Sequence, residues 1–238
     1  VLASIVSASV IMPFFIEKNE RNHTEAKDFF DTIFSFYFLA MVIVSIIAFI
    51  FLPYILKIFF PPLAKGTKFG ELILMTRILL LSPFFLGLSN LFSTVSQSYR
   101  RFFIYSLSPI LYNIDIIFGI IFLYTHFGLP GLVSGVVLGA FLHFFIQVPF
   151  AVKKNFWPKL HIPHLFSSGF SSIKKVILIS IPRTITVSSN EITELFLISF
   201  ASFLIPGSIS VFNFSFNLQS VPFAIIGISY SMATFPTL

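Results

Sequence analysis

Long apolar runs alternate with short polar segments along the whole chain. Most of the runs are long enough to cross the roughly 30 Å hydrocarbon core of a bilayer as a helix, which rises about 1.5 Å per residue. Residues 72–98 and 102–124 are separated only by Tyr99, Arg100 and Arg101, which predicts a tight transmembrane hairpin. The full pattern predicts seven spans, over residues 1–15, 29–60, 72–98, 102–124, 131–150, 176–204 and 208–237.

Basic residues predict which side of the membrane each loop faces. Under the positive-inside rule, the turn that carries Arg100 and Arg101 lies in the cytoplasm. The loops predicted on that side hold ten Lys and Arg residues, whereas the loops on the other side hold three. Orientation is therefore the first role that we assign to Arg100 and Arg101. The second is to bind an anionic head group, since guanidinium pairs well with phosphate.

Composition also indicates a membrane protein. Of the 238 residues, 56% are hydrophobic and 10% are charged, whereas about 25% are charged in soluble domains. The net charge of +6 comes from loop residues rather than a polar face, which argues against nucleic acid and makes the lipid bilayer the main partner. Cysteine is absent, which excludes disulfides and thiolate metal sites. His161 and His164 have no carboxylate nearby, so we predict neither a metal site nor a cofactor.

Two polar segments divide the pattern further. Residues 17–31 are rich in charge, which predicts a solvated loop and the polar start of the second span. Residues 153–175 hold five lysines and form the longest polar connection, which predicts a linker between two halves. Within the fifth span, Gly135 and Gly139 predict close helix packing.

Several collinear motifs are similar to those of a known transporter family. They are Ser82-Pro83-Phe84-Phe85, Arg101-Phe102, Ser108-Pro109, Asn113-Ile114, Gly131-Leu132-Val133, Gln147-Val148-Pro149 and Gly207-Ser208-Ile209-Ser210. In this order and spacing, along nearly the whole chain, they resemble the fourth to eighth helices of the MurJ (MviN) lipid II flippases, which belong to the MOP exporter superfamily.

The resemblance implies an all-α membrane protein with the two-lobed fold of that superfamily. The chain would be a fragment that covers about helices two to eight of fourteen. Residues 1–152 would be the remainder of the N-terminal lobe, with five transmembrane helices. Residues 153–175 would be a cytoplasmic linker, and residues 176–238 would start the C-terminal lobe with two helices.

Ionisable residues inside an apolar span are costly and are therefore functional candidates. The sixth span carries Arg183, Glu191 and Glu194, together with Asn190. Arg183 and Glu194 are eleven positions apart, which places them about 20° from one helical face and roughly 16 Å apart. We expect this polar stripe to line a wet cavity between lobes. Alternatively, Arg183 lies at the cytoplasmic interface and the carboxylates bond neighbouring helices. A sharper hypothesis is that the carboxylates take Na⁺ or H⁺ as a coupling ion.

Other polar residues give weaker signals. MurJ-type proteins generally carry an Arg and, three residues later, an acid in the eighth helix, where this chain has Asn217 and Ser220. We expect Arg77 to snorkel at the outer surface and His143 to be a hydrogen-bonded core residue. Asp115 lies deeper in its span and is a stronger candidate.

The resemblance implies a flippase of the bacterial cytoplasmic (inner) membrane. Its substrate would be an undecaprenyl-pyrophosphate-linked precursor of peptidoglycan, moved outward by alternating access of the two lobes. No bond is made or broken in such a process, so we do not predict an enzyme. One alternative is another exporter of the superfamily, either a polysaccharide-lipid flippase or a cation-coupled drug exporter. The other is an inactive membrane scaffold.

Overall fold

A computed structural model describes residues 8–161 and 169–228 of the chain, and its regular elements there are all helical. The α-helices are α1 (Ala8–Arg21), α2 (His23–Phe59), α3 (Pro61–Ala64), α4 (Phe69–Leu79), α5 (Leu81–Ser98), α6 (Phe102–Phe118), α7 (Tyr124–Phe127), α8 (Leu129–Phe145), α9 (Val148–Lys153), α10 (Phe170–Ala201) and α11 (Ser208–Pro222). Two π-helical turns, Gly119–Leu123 and Phe223–Ile228, extend α6 and α11. The predicted all-α class is confirmed.

Four helical stretches within the described residues are long and apolar enough to cross a membrane. They are His23–Phe59, Phe69–Ser98, Phe102–Phe127 and Leu129–Lys153. These stretches match the second to fifth predicted spans, and the protein is a multi-pass membrane protein. The sixth predicted span forms the 32-residue helix α10, which is long enough but carries a polar middle. Residues 1–7 and 229–238, in the first and seventh predicted spans, lie outside the described residues.

The charged segment 17–31 is helical on both sides of Asn22, so the predicted loop is wrong, whereas the predicted polar start of the second span is confirmed from His23 onward. Helix α1 continues to Arg21, and α2 begins just after Asn22. The Asn22 side chain accepts a hydrogen bond from the Thr24 N–H at 2.9 Å. Such an N-cap satisfies one of the free N–H groups at a helix start, which allows two helices to meet at a single residue. Asp31 is only 5% exposed.

The third predicted span is interrupted between α4 and α5. Pro83 lies in the first turn of α5 and has no N–H to donate to the carbonyl of Leu79, four residues earlier. The Leu80 N–H bonds to the carbonyl oxygens of Thr76 at 3.2 Å and Arg77 at 3.3 Å. The missing donor explains why one predicted span is built from two helices.

The largest buried cluster is aromatic and lies where α1, α2 and α5 meet. The rings of Phe30 and Phe92 pack edge to face with centroids 5.5 Å apart, a favourable geometry for aromatic pairs. The Phe156 ring lies 5.0 Å from that of Phe15 and 5.7 Å from that of Phe30. Because Phe156 follows α9, this core also anchors the start of the predicted linker.

Helices α6 and α8 pack backbone against backbone. A Cβ atom on Gly135 would lie 2.5 Å from the Cα of Gly119, and one on Gly139 would lie 2.9 Å from the Tyr112 carbonyl oxygen. The predicted close packing at Gly135 and Gly139 is confirmed. Asp115 lies in the same seam and is 8% exposed. Its Oδ2 atom has no hydrogen-bond partner among the residues that the structure describes.

Candidate functional site

Helix α10 contacts α2 near both of its ends. Near its start, Ile173 and Val176 are buried in the aromatic core. Near its end, the Ser199 hydroxyl donates to the Phe59 carbonyl oxygen, and the Phe196 ring lies 6.1 Å from the Phe59 ring. The two contact regions are roughly 35 Å apart along α10, so the polar middle of the helix spans the distance between them.

The polar middle of α10 lies on the same face as its buried ends. Ile173 and Glu191 are 18 positions apart, or about five full turns, and Ser202 is within about 20° of the same direction. Ile173 is 5% exposed and Ser202 is 9% exposed, yet Glu191 between them is exposed. The face of α10 that is buried in the core near the helix start is therefore exposed at Glu191. At the far end, Ser199 and Phe196, which contact α2, lie about 80° and 140° around the helix from Glu191.

This face presents hydroxyl and carboxylate groups. The Ser188 Oγ atom is buried and lacks a hydrogen-bond partner among the described residues. Asn190 and Glu191 are exposed, and Glu194, one turn further on, is half-buried. Neither carboxylate forms an ion pair with a side chain in the described part of the chain. Carboxylates and hydroxyls of this kind, where they lie inside a membrane, can bind a cation or a polar head group.

The backbone of Arg183 belongs to α10, so its spacing from Glu194 is helical, as predicted. Eleven positions of helix place the two Cα atoms within about 20° of one direction. The Arg183 side chain lies outside the described residues, and its role therefore remains a prediction.

Asn217 and Ser220 lie one turn apart on α11, which follows α10 after a short turn, makes few contacts with it and has no buried residue. Both side chains are exposed, and the Ser220 hydroxyl donates to the Asn217 carbonyl oxygen at 2.8 Å. Within residues 8–161 and 169–228, no hydrogen bond joins either side chain to Glu191 or Glu194. The structure therefore brings the two helices together without joining these four polar groups.

The turn between α5 and α6 presents two arginines to solvent. Arg100 has a left-handed backbone, with φ at 55°, and both Arg100 and Arg101 are exposed. The Arg100 N–H bonds to the Gln97 carbonyl at 2.8 Å, and the Arg101 N–H bonds to the Ser96 carbonyl at 2.9 Å. These two bonds form a Schellman motif, in which glycine usually occupies the left-handed position. The motif leaves both guanidinium groups free to meet a head group.

Sequence reasoning missed a polar attachment between α2 and the predicted linker. The Lys159 N–H donates to Asp31 Oδ1 at 3.0 Å, and Lys27 pairs with the same carboxylate. The His161 N–H donates to Ser35 Oγ at 3.0 Å. The spacing of Asp31 and Ser35 is the sequence signal that could have indicated this attachment, because residues four positions apart lie on one helical face. Their buried position became visible only in the fold.

The structure also tests the predictions made for His143 and Arg77. His143 is hydrogen-bonded, as predicted, with its Nδ1 2.7 Å from Ser89 Oγ, but its side chain is half-buried rather than in the core. Arg77 lies eight residues beyond the start of α4 at Phe69. Its guanidinium stacks on the Phe49 ring of α2, with Cζ 4.2 Å from the ring centroid.

Comparisons with known proteins agree with one another. The family model of the lipid II flippase MurJ matches residues 6–238. A probable lipid II flippase MurJ of Borreliella burgdorferi is 30% identical over 100% of this chain and 46% of its own length. One from Buchnera aphidicola subsp. Schizaphis graminum is 31% identical over 94% and 44%. The lipid II flippase MurJ of Burkholderia cenocepacia is 25% identical over 97% and 46%. The chain spans about half the length of these curated relatives.

Proposed function

Because the chain belongs to the MurJ family of lipid II flippases, we propose that it is part of a transporter for a lipid-linked cell-wall precursor. The substrate is an undecaprenyl-pyrophosphate-linked peptidoglycan precursor, and the location is the bacterial cytoplasmic membrane. Its family is one of transporters, and the proposed activity makes or breaks no bond. It moves a polar head group through an apolar barrier, which requires a polar surface inside the bundle.

The observation that supports this function most directly is the exposed polar face in the middle of α10. Glu191 lies on the face of α10 that packs in the aromatic core near the helix start, which favours a direction toward the bundle rather than toward lipid. A carboxylate in contact with lipid chains would cost several kcal/mol or more. A water-filled path along this face removes that cost and gives the head group polar contacts during its passage.

We assign the two lobes of the transporter to residues 1–152 and 176–238, with residues 153–175 as the cytoplasmic linker. Under this assignment α10 is the first helix of the second lobe, and its polar face meets the first lobe across the path. Arg183 supplies the cation that a pyrophosphate needs, since two phosphates lose their hydration in the membrane. Arg100 and Arg101 attract the anionic head group at the cytoplasmic entrance.

The two carboxylates of α10 are our candidates for ion coupling. Glu191 and Glu194 are one turn apart, next to the Ser188 hydroxyl, which has no hydrogen-bond partner among the residues that the structure describes. Oxygen ligands of this type suit Na⁺, and either carboxylate can also carry H⁺. Binding of such an ion would favour one arrangement of the lobes and thereby drive the transport cycle.

A second candidate function follows from Asn217 and Ser220, which are neutral where family members generally carry an Arg and an acid. Both side chains are exposed on α11, so charged replacements would fit. Their neutrality favours another activity of the same superfamily, either a flippase for a polysaccharide-linked lipid or a cation-coupled drug exporter. An inactive membrane scaffold is the remaining alternative.

A complementation experiment tests the proposal. The full-length gene is expressed in cells depleted of their own lipid II flippase, and membrane insertion is checked by fractionation. We expect growth with the wild type, loss of growth with Arg183→Ala, and normal growth with the control Lys65→Ala in the predicted outer loop. Failure of the inserted wild type contradicts the lipid II assignment. If Asn217→Arg with Ser220→Glu then restores growth, the second candidate function is favoured.

A further inference from the structure

A groove between α2 and α4 contains a cation that the proposed transport path does not use. The groove has a volume of about 560 Å³, and Arg77 forms part of its wall. The Arg77 Nη2 group donates to the Phe49 carbonyl oxygen at 3.3 Å, while the guanidinium stacks on the Phe49 ring. These contacts hold the charged group against α2 at the edge of the groove.

Arg77 lies well inside the apolar part of both helices. It is nine residues beyond Lys68, and its contact Phe49 is eight residues before Lys57. At about 1.5 Å per residue, both positions are roughly 12 to 14 Å deeper than the nearest lysines. Side chains on a helix point back toward its N-terminus, so the guanidinium points from this depth toward the predicted outer surface.

The charge of Arg77 is not balanced within the part of the chain that the structure describes. No carboxylate there lies within ion-pair distance of it, and its buried Nε–H has no hydrogen-bond partner. Glu71, the only acid on α4, is six positions away and points about 120° from Arg77. A guanidinium at such depth requires an anion or water, because its isolated burial is costly.

The rest of the groove is suited to a hydrocarbon chain. Apolar side chains of α2, α4 and the start of α5 line it, among them Ile46, Leu74, Ile78 and Leu81. We propose that a membrane phospholipid occupies this groove, with its phosphate on Arg77 and one acyl chain along the apolar wall. A forked guanidinium binds phosphate oxygens through two parallel hydrogen bonds. The proposal concerns a resident lipid and does not depend on what the protein transports.

The test counts lipids on the purified full-length protein by native mass spectrometry, after delipidation and addition of phosphatidylglycerol. We expect the wild type and Lys68→Gln, a matched loss of charge outside the groove, to retain one tightly bound lipid. Arg77→Gln should weaken its retention at least about tenfold, because a charge-assisted hydrogen bond is lost. Diacylglycerol with the same chains should not be retained.

A second variant separates loss of the site from loss of the fold. Leu74→Trp keeps Arg77 but fills the groove, and it should also remove the lipid while helical content stays unchanged. The proposal is overturned if Arg77→Gln retains phosphatidylglycerol as well as the wild type, or if diacylglycerol binds equally. Absence of any retained lipid on the wild type overturns it too, since another part of the protein would then fill the groove.

Discussion

The backbone N–H of Lys159 donates a hydrogen bond of 3.0 Å to the carboxylate of Asp31, across 128 positions of sequence. Asp31 is nearly buried on α2, and its charge is balanced by Lys27 one turn earlier. The described start of the predicted linker is therefore fixed to the N-terminal helices.

Replacing Asp31 should release this attachment. Asp31→Ala leaves the Lys159 N–H and the Lys27 ammonium without their shared acceptor, at a cost of about 1–3 kcal/mol. We expect faster cleavage by trypsin at Lys159 and faster hydrogen exchange around it. Asp28→Ala is the control, because Asp28 is on the same helix but exposed. Equal cleavage of the two variants would show that the attachment contributes little.

The seam between α6 and α8 should not tolerate a side chain larger than hydrogen. In Gly135→Ala the new methyl group meets the backbone of Gly119 at 2.5 Å, and the helices must separate. We expect a loss of about 1–3 kcal/mol, measured as a lower melting temperature in detergent. Gly70→Ala is a matched control, since nothing lies within 4 Å of its added Cβ. A similar melting temperature for both variants would contradict this packing.

Glycine at position 100 should stabilise the turn before α6. A non-glycine residue in the left-handed region carries a penalty of roughly 1–2 kcal/mol, so Arg100→Gly should raise the melting temperature. Arg101→Gly removes the same charge at a φ of −90° and should give no such gain, because that conformation suits any residue. If both variants change the melting temperature equally, charge rather than backbone conformation is responsible.

The correct predictions from the sequence concern features that depend on residues close together in the chain. Four apolar spans are confirmed because length and hydrophobicity decide whether a helix crosses a bilayer. The glycine seam is confirmed at Gly135 and Gly139, since small residues four apart lie on one face. The hydrogen bonding of His143 was also predicted correctly, although its side chain is half-buried rather than in the core.

The errors concern features that depend on distant residues. Asp31 looks like part of a solvated charged segment, and only its contact with Lys159 explains its burial. Arg77 seems close to a span end until the start of α4 at Phe69 is known. The inward direction that we propose for Glu191 depends on how the start of α10 packs in the aromatic core. Its polar stripe was visible in the sequence, but the partner helix was not.

The most direct test of the account is the water accessibility of α10 in the membrane. The 238 residues contain no cysteine, so single cysteines at positions 188 and 191 can be compared with ones at 179 and 197. The apolar side chains at 179 and 197 are exposed and lie at least about 120° around the helix from both test positions. In cells, a membrane-impermeant thiol reagent should label Ser188→Cys and Glu191→Cys but not Ile179→Cys or Leu197→Cys. Labelling of positions 179 and 197 alone would contradict a substrate path along Glu191.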